Sequence, residues 1–350
     1  MLWDILLVGL GLGVLLLAGD ALVKGAVNLS LRLGVPALIV GLTVVAFGTS
    51  APELLVAVQA VLAGAPALAL GNVVGSNTAN ILLVLGVPAL IAAVPVARNL
   101  ARDYAGMMAA TALFVGLALL GPIGWPQALI LLAGLALMLG DAFLRARAHR
   151  AANGAANGAA NGAANGAADG AADGTADGGG SGAADPEEAE LEGAEPDMPG
   201  WRIGLYTVLG IIGLPLGAEL LVEGSVSIAV ALGVSEAVIG LTLVAIGTSL
   251  PELATTVMAA IRREAGVALG NVLGSNMFNL LAIIGVAGLF GTIPIPAEML
   301  VRDLWVMVGA SALLGWFVLT GRSIGRVWGV VLLLLYAAYL AVLALYGGVT

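Results

Sequence analysis

Apolar residues run along this chain in blocks of about twenty or more, the length a helix needs to cross a ~30 Å hydrocarbon core. Short stretches rich in Gly, Pro and charge part the blocks. The pattern predicts ten spanning helices over 2–23, 34–62, 67–95, 104–120 and 125–144, then 202–222, 233–261, 265–290, 299–319 and 325–346. Polar positions inside the blocks are few. Between Gly34 and Ala97 the one ionisable side chain is Glu53, and between Ala265 and Ala297 there is none. The expected fold class is an all-α polytopic membrane protein.

Composition agrees: 60% of residues are hydrophobic, 10% are charged and the mean hydropathy is +1.07. A soluble domain would be roughly a quarter charged. The two sets of five helices occupy 1–150 and 201–350, and the segment 151–200 lies between them. It opens as AANGAANGAANG, shifts to AADGAADG and ends in DPEEAELEGAEPDMPG. Such repeats cannot bury enough apolar surface to offset chain entropy, so a disordered tether is expected. Its acidic end lacks the D-x-[DN]-x-[DN]-G pattern of a Ca²⁺-binding loop. The segment holds ten acidic and no basic residues, which accounts for the net charge of −9 and leaves 12 acidic against 13 basic residues elsewhere. Nothing here calls for nucleic acid as a partner. Without cysteine, disulfides and thiolate metal sites are excluded. The start, MLWDILLVGLGLG, lacks a basic leader region and reads as a retained first helix.

The halves are copies. Gly41–Leu55 (GLTVVAFGTSAPELL) and Gly240–Ala254 (GLTLVAIGTSLPELA) agree at 11 of 15 positions, and Ala69–Gly86 and Ala268–Gly285 at 11 of 18, with a constant offset of 199. An odd number of helices per copy makes the copies insert in opposite orientations. The basic residues fit this. With the N-terminus outside, twelve of the 13 fall in inside loops or flank the linker, among them Lys24, Arg32, Arg98 and Arg102, and Arg302 alone falls outside. Both termini are therefore expected outside, and the linker in the cytoplasm.

Each copy carries one carboxylate, Glu53 or Glu252, inside a hydrophobic run, where a charge costs at least ~2.5 kcal/mol. In GTSAPE and GTSLPE, Pro52 and Pro251 lack an N–H, so the carbonyls of Gly48 and Gly247 lose their helical partners. Unpaired carbonyls at membrane depth are tolerated where they line a cavity. Thr49, Ser50 and Glu53 share a helix face by spacing, and Thr248, Ser249 and Glu252 repeat the set. In GNVVGSNTAN and GNVLGSNMFN, Ser76 and Asn80, and Ser275 and Asn279, are spaced i, i+4. Every candidate donor is an oxygen, which suits Ca²⁺ or Na⁺ and not zinc or copper. Asp20 and Glu219 near helix ends read as interfacial or structural, Glu236 and Glu298 as loop residues, and His149 as a surface residue.

These paired motifs resemble the two α-repeats of the sodium/calcium exchanger family, within the cation/calcium antiporter superfamily. The resemblance covers both repeats and leaves the linker aside. It implies four central ion sites and alternating access by sliding of the first and sixth helices. By motif position it implies Glu53 and Glu252 as principal Ca²⁺ ligands with the carbonyls of Thr49 and Thr248. It implies flanking Na⁺ sites from Ser50, the Ala46 carbonyl and Ser76, and from Ser249, the Ala245 carbonyl and Ser275. Asn80 and Asn279 would complete the middle layer. No cofactor is implied; Ca²⁺ and Na⁺ are cargo, the bilayer of the cell (inner) membrane is the surrounding, and a monomer suffices. One departure stands out: family members often carry GSNxxD in one repeat, where this chain has Asn80 and Asn279 in both. Two carboxylates balance one Ca²⁺ or two Na⁺, so a weakly held third Na⁺ is expected.

Other readings remain at this point. Protons or K⁺ could serve in the counter-transport. A cation channel could also use carboxylates, usually as rings in an oligomer. An intramembrane enzyme fits least, because the single His lies beside the linker.

Overall fold

The computed structural model describes residues 2–96, 100–170, 195, 197–232 and 245–346. Helix dominates them, since backbone groups within hydrocarbon have no water to bond. In chain order they are α1 (Leu2–Leu33), α2 (Ala37–Thr49), α3 (Ala51–Leu62), α4 (Pro66–Ile91), α5 (Ala101–Leu120) and α6 (Trp125–Gly170). There follow α7 (Gly200–Ala231), α8 (Leu250–Ile261), α9 (Ala265–Phe290), α10 (Met299–Thr320) and α11 (Arg326–Tyr346). Among the described residues eight helices are long and apolar enough to cross a membrane, and the bent pair α2–α3 makes a ninth. The short apolar helix α8 is the described end of the expected span 233–261, whose residues 233–244 lie outside the described set. Arg98, Glu236 and linker residues 171–194 and 196 lie outside it too.

Three elements differ from expectation. Lys24 and Arg32, expected in a loop, ride on α1, which continues to Leu33. Lys24 is satisfied there: Asp20 lies 3.8 Å away one turn back, and the Tyr206 ring lies beneath the ammonium at 5.8 Å. The first part of the expected tether, to Gly170, continues α6 as helix. Alanine, half of that stretch, is the residue that favours helix most. The span 34–62 is bent by 44° between α2 and α3. Pro52, in the first turn of α3, has no N–H to bond back into α2.

Packing repeats the duplication. Helices α1 and α7 run antiparallel in the most extensive helix pairing of the fold, and glycine allows it. A Cβ on Gly11 would lie 2.5 Å from the Leu221 nitrogen; one on Gly210 would lie 2.8 Å from the Leu22 nitrogen. Gly210 and Leu221 are the counterparts of Gly11 and Leu22 at the 199-residue offset, so the two contacts are the same contact made twice. Likewise α9 lies on α2 almost backbone to backbone: a Cβ on Gly270 would meet the Leu38 carbonyl at 2.7 Å, and one on Gly274 the Leu42 carbonyl at 2.6 Å. A large apolar core with Phe114, Met107, Met307 and Phe317 joins α4, α5, α9 and α10. A smaller one with Leu15, Leu22 and Leu214 joins α1 and α7 to it. Two isolated bridges, Val94 with Ile324 and Ile123 with Ile293, fasten the connections.

Candidate ion-binding site

Ser50 and Ser249 stand at equivalent breaks. Each precedes its helix with nearly the same backbone angles, φ −87°, ψ 2° and φ −90°, ψ 4°. The first turns of α3 and α8 then present Glu53 and Glu252, both 1% exposed. A helix N-terminus is where a carboxylate is best placed against the backbone dipole.

The close approach of α9 to α2 brings residues of opposite repeats together. The Thr49 hydroxyl donates to Asn271 Oδ1 at 3.2 Å and lies 3.5 Å from the Ser275 hydroxyl. In the other copy, the Thr248 hydroxyl donates to Asn72 Oδ1 at 3.3 Å. The Ser50 hydroxyl donates to Glu252 Oε1 at 3.2 Å, and Asn271 Nδ2 donates to the Glu252 carbonyl at 3.4 Å.

Four asparagines form the layer beneath. Asn77 Nδ2 donates to the Asn276 carbonyl at 3.3 Å, and Asn276 Nδ2 to the Asn77 carbonyl at 3.4 Å. Asn80 Nδ2 donates to Asn276 Oδ1 at 3.1 Å, and Asn279 Nδ2 to Asn77 Oδ1 at 3.0 Å. Every bond in this quartet joins one repeat to the other, and each has its mirror.

Seven buried oxygens here have no hydrogen-bond partner among the described residues: both of Glu53, Oε2 of Glu252, the hydroxyls of Ser76 and Ser249, and the Oδ1 atoms of Asn80 and Asn279. Leaving that many acceptors dry in a protein interior is costly, most of all for carboxylates. A cation that prefers hard oxygen donors would satisfy them. Among the described residues no three of His, Cys, Asp and Glu gather as a metal cluster, and this site has two carboxylates only.

Of the residues singled out in the sequence, Glu53, Glu252, Thr49, Ser50, Ser76, Ser249, Ser275, Asn80 and Asn279 are all buried, and Thr49, Ser50, Glu252, Ser275, Asn80 and Asn279 take part in the bonds above. Thr248 is half-buried, and Ala245 opens the short turn Ala245–Gly247 before the break. The Ala46 carbonyl already accepts from the Ser50 N–H at 3.0 Å and from the Thr49 hydroxyl at 3.3 Å. The sequence reading passed over Asn72 and Asn271, one turn before Ser76 and Ser275 on the same i, i+4 face, and Asn77 and Asn276, which lie off that face. The signal was present all the same, in the identity of both asparagines between the two copies.

The family model described as sodium/calcium exchanger protein matches residues 3–140 and 203–345. The chain is 36% identical over 349 residues to the sodium/calcium exchanger MaX1 of Methanosarcina acetivorans, covering 97% of this chain and 98% of that protein. It is 31% identical over 311 residues to the inner membrane protein YrbG of Escherichia coli, covering 87% and 86%. A solved structure of the sodium-calcium exchanger NCX_Mj, soaked with Na⁺ and Sr²⁺, superposes with a TM-score of 0.75 at 30% identity, over 97% of this chain and 98% of that one.

Proposed function

We propose that this chain, which belongs to the sodium/calcium exchanger family, is a multi-pass secondary antiporter that exchanges Ca²⁺ for Na⁺ by alternating access. The observation that carries this reading is the pair of buried carboxylates at equivalent helix breaks, with three of their four oxygens lacking a hydrogen-bond partner among the described residues. Glu53 and Glu252 would bind Ca²⁺ between them with the carbonyls of Thr49 and Thr248. Ser50, Ser76, Ser249 and Ser275 would hold Na⁺ on the two flanks, with the Ala46 and Ala245 carbonyls and with Asn80 and Asn279 between. Overlapping ligands make the two ions compete, and competition couples their opposite movement.

The mirrored contacts of α1 with α7 and of the asparagine quartet support two inverted five-helix repeats, 1–150 and 201–350, and ten spans in all. The distribution of basic residues supports termini outside and the linker 151–200 in the cytoplasm; the chain would act as a monomer in the cell (inner) membrane. With two carboxylates and a neutral asparagine in each copy, the site balances one Ca²⁺ or two Na⁺. A third Na⁺ then binds weakly, and exchange is less electrogenic than 3:1.

The test is ⁴⁵Ca²⁺ uptake into proteoliposomes loaded with Na⁺, K⁺ or a proton gradient, with Glu53→Gln and Glu252→Gln beside the parent. Uptake should require internal Na⁺ and fall on the order of 100-fold in each variant, as expected for breaking a buried charge pairing. Uptake driven by protons alone would replace Na⁺ as counter-ion; uptake needing no counter-ion would overturn antiport. Reversal potentials read the stoichiometry, and a firm 3:1 ratio would refute the weak third site.

A further inference from the structure

Asn72 and Asn271 follow Gly71 and Gly270 in the motifs GNVVGSN and GNVLGSN. The ion ligands proposed above include neither, yet Asn271 is completely buried and bonded at both ends of its amide. Its Nδ2 donates to the Thr256 hydroxyl at 3.2 Å and to the Glu252 carbonyl at 3.4 Å. Its Oδ1 accepts from the Thr49 hydroxyl at 3.2 Å and from the Ser275 hydroxyl at 3.5 Å. The amide cannot be turned over, because Oδ1 would then face a carbonyl that itself only accepts.

Thr49 is where this amide meets the ion site. A hydroxyl has one proton to donate. Two acceptors contend for that of Thr49: Asn271 Oδ1 at 3.2 Å and the Ala46 carbonyl at 3.3 Å, three residues back on α2. The Ala46 carbonyl already accepts the Ser50 N–H at 3.0 Å. A carbonyl oxygen has two lone pairs, so one remains, and the Thr49 proton and a cation would claim the same one. Distance barely separates the two acceptors. What separates them is that Oδ1 is held in place by the bonds of its own Nδ2.

The other copy makes the same contact without that anchor. The Thr248 hydroxyl donates to Asn72 Oδ1 at 3.3 Å. Position 57, the counterpart of Thr256, is alanine, and Asn72 Nδ2 has no hydrogen-bond partner among the described residues.

We infer that Asn271 is a positioning residue for Na⁺: anchored by Thr256, it draws the Thr49 proton off the Ala46 carbonyl and keeps that oxygen open to the ion. The inference rests on the ligand set proposed above. It adds that Na⁺ affinity on the flank built by one repeat is controlled by an amide of the other.

Displacement of ⁴⁵Ca²⁺ by Na⁺ from the purified full-length chain tests it, with Ca²⁺ affinity measured in Na⁺-free buffer alongside. Asn271→Leu is close to Asn in shape and leaves no space for a substituting water. It should raise the Na⁺ concentration for half-displacement about fivefold, the worth of one neutral hydrogen bond, and leave Ca²⁺ affinity as it was. A merely structural disturbance would weaken both ions. In a Thr49→Val background the same replacement should add no further shift, since no hydroxyl remains to close the carbonyl. Thr256→Val, which leaves Asn271 in place, should shift Na⁺ in the same direction by a smaller factor. Half-displacement unchanged in both variants, an equal loss of Ca²⁺ affinity, or a full shift persisting with Thr49→Val would overturn the inference. Ca²⁺ binding that Na⁺ does not displace in the parent would overturn the exchange reading itself, and this inference with it.

Discussion

Glu252 and Glu53 sit at equivalent breaks in equivalent helices, yet they are held differently. Glu252 accepts from the Ser50 hydroxyl and has Asn271 on its backbone carbonyl. Among the described residues Glu53 has no hydrogen-bond partner on either oxygen, and Ser249, the counterpart of Ser50, has none on its hydroxyl. A duplicated sequence therefore does not dictate duplicated bonding. When two copies of a motif face each other, the small offset that lets one serine reach across keeps the other from doing so.

Three measurements can break or sharpen this contrast. In ion-free buffer, Glu53→Gln should raise the apparent melting temperature on the order of 3 °C, because it removes a buried charge that nothing compensates. Glu252→Gln should raise it less. Equal rises would mean that the two carboxylates are equivalent and the contrast is void. Next, Ser50→Ala should lower the same temperature by roughly 2 °C through one lost charge-assisted bond, while Ser249→Ala should leave it unchanged. A matching loss in Ser249→Ala would show that its hydroxyl is engaged after all.

The smallest effect concerns the turns after α3 and α8, Ala63-Gly64-Ala65 and Arg262-Arg263-Glu264. Gly64 takes φ 77° and Arg263 takes φ 58° at the same place. The second turn buries Glu264, whose carboxyl is pushed up to about 7 by burial, against a smaller downward pull from Arg262. A carboxyl raised in the folded state holds its proton where the unfolded chain has lost it. Its contribution to stability is complete below the ordinary value near 4.5 and is lost as pH rises through about 7. Glu264→Gln should therefore shrink the fall in apparent melting temperature between pH 5 and pH 8 by roughly 1 °C. An unaltered pH profile would count against a buried, titrating Glu264.

Much of this was legible in the amino-acid order. Long apolar runs gave the spans because the bilayer sets their length, and span 265–290 has the same limits as α9. The break at Ser50 followed from Pro52, a local rule. What depended on partners far along the chain was hidden. Lys24 reads as a loop residue until Asp20 and Tyr206 are seen around it. Asn77 and Asn276 reveal their pairing only across 199 residues, a distance at which i, i+4 reasoning is silent.

The reciprocal bonds of Asn77 and Asn276 also set a clock. Asn77 and Asn80 reach the membrane with the first half of the chain, and the carboxamide and carbonyl they bond belong to residues made almost 200 positions later. At 5–20 residues per second, synthesis leaves them without those partners for about 10–40 s. During that time the newborn first half carries unmet amide groups in hydrocarbon and must wait, with lipid, stray water or an insertion factor as its companion. Assembly of this protein is thus an appointment between two halves, and a half made alone has no one to keep it with.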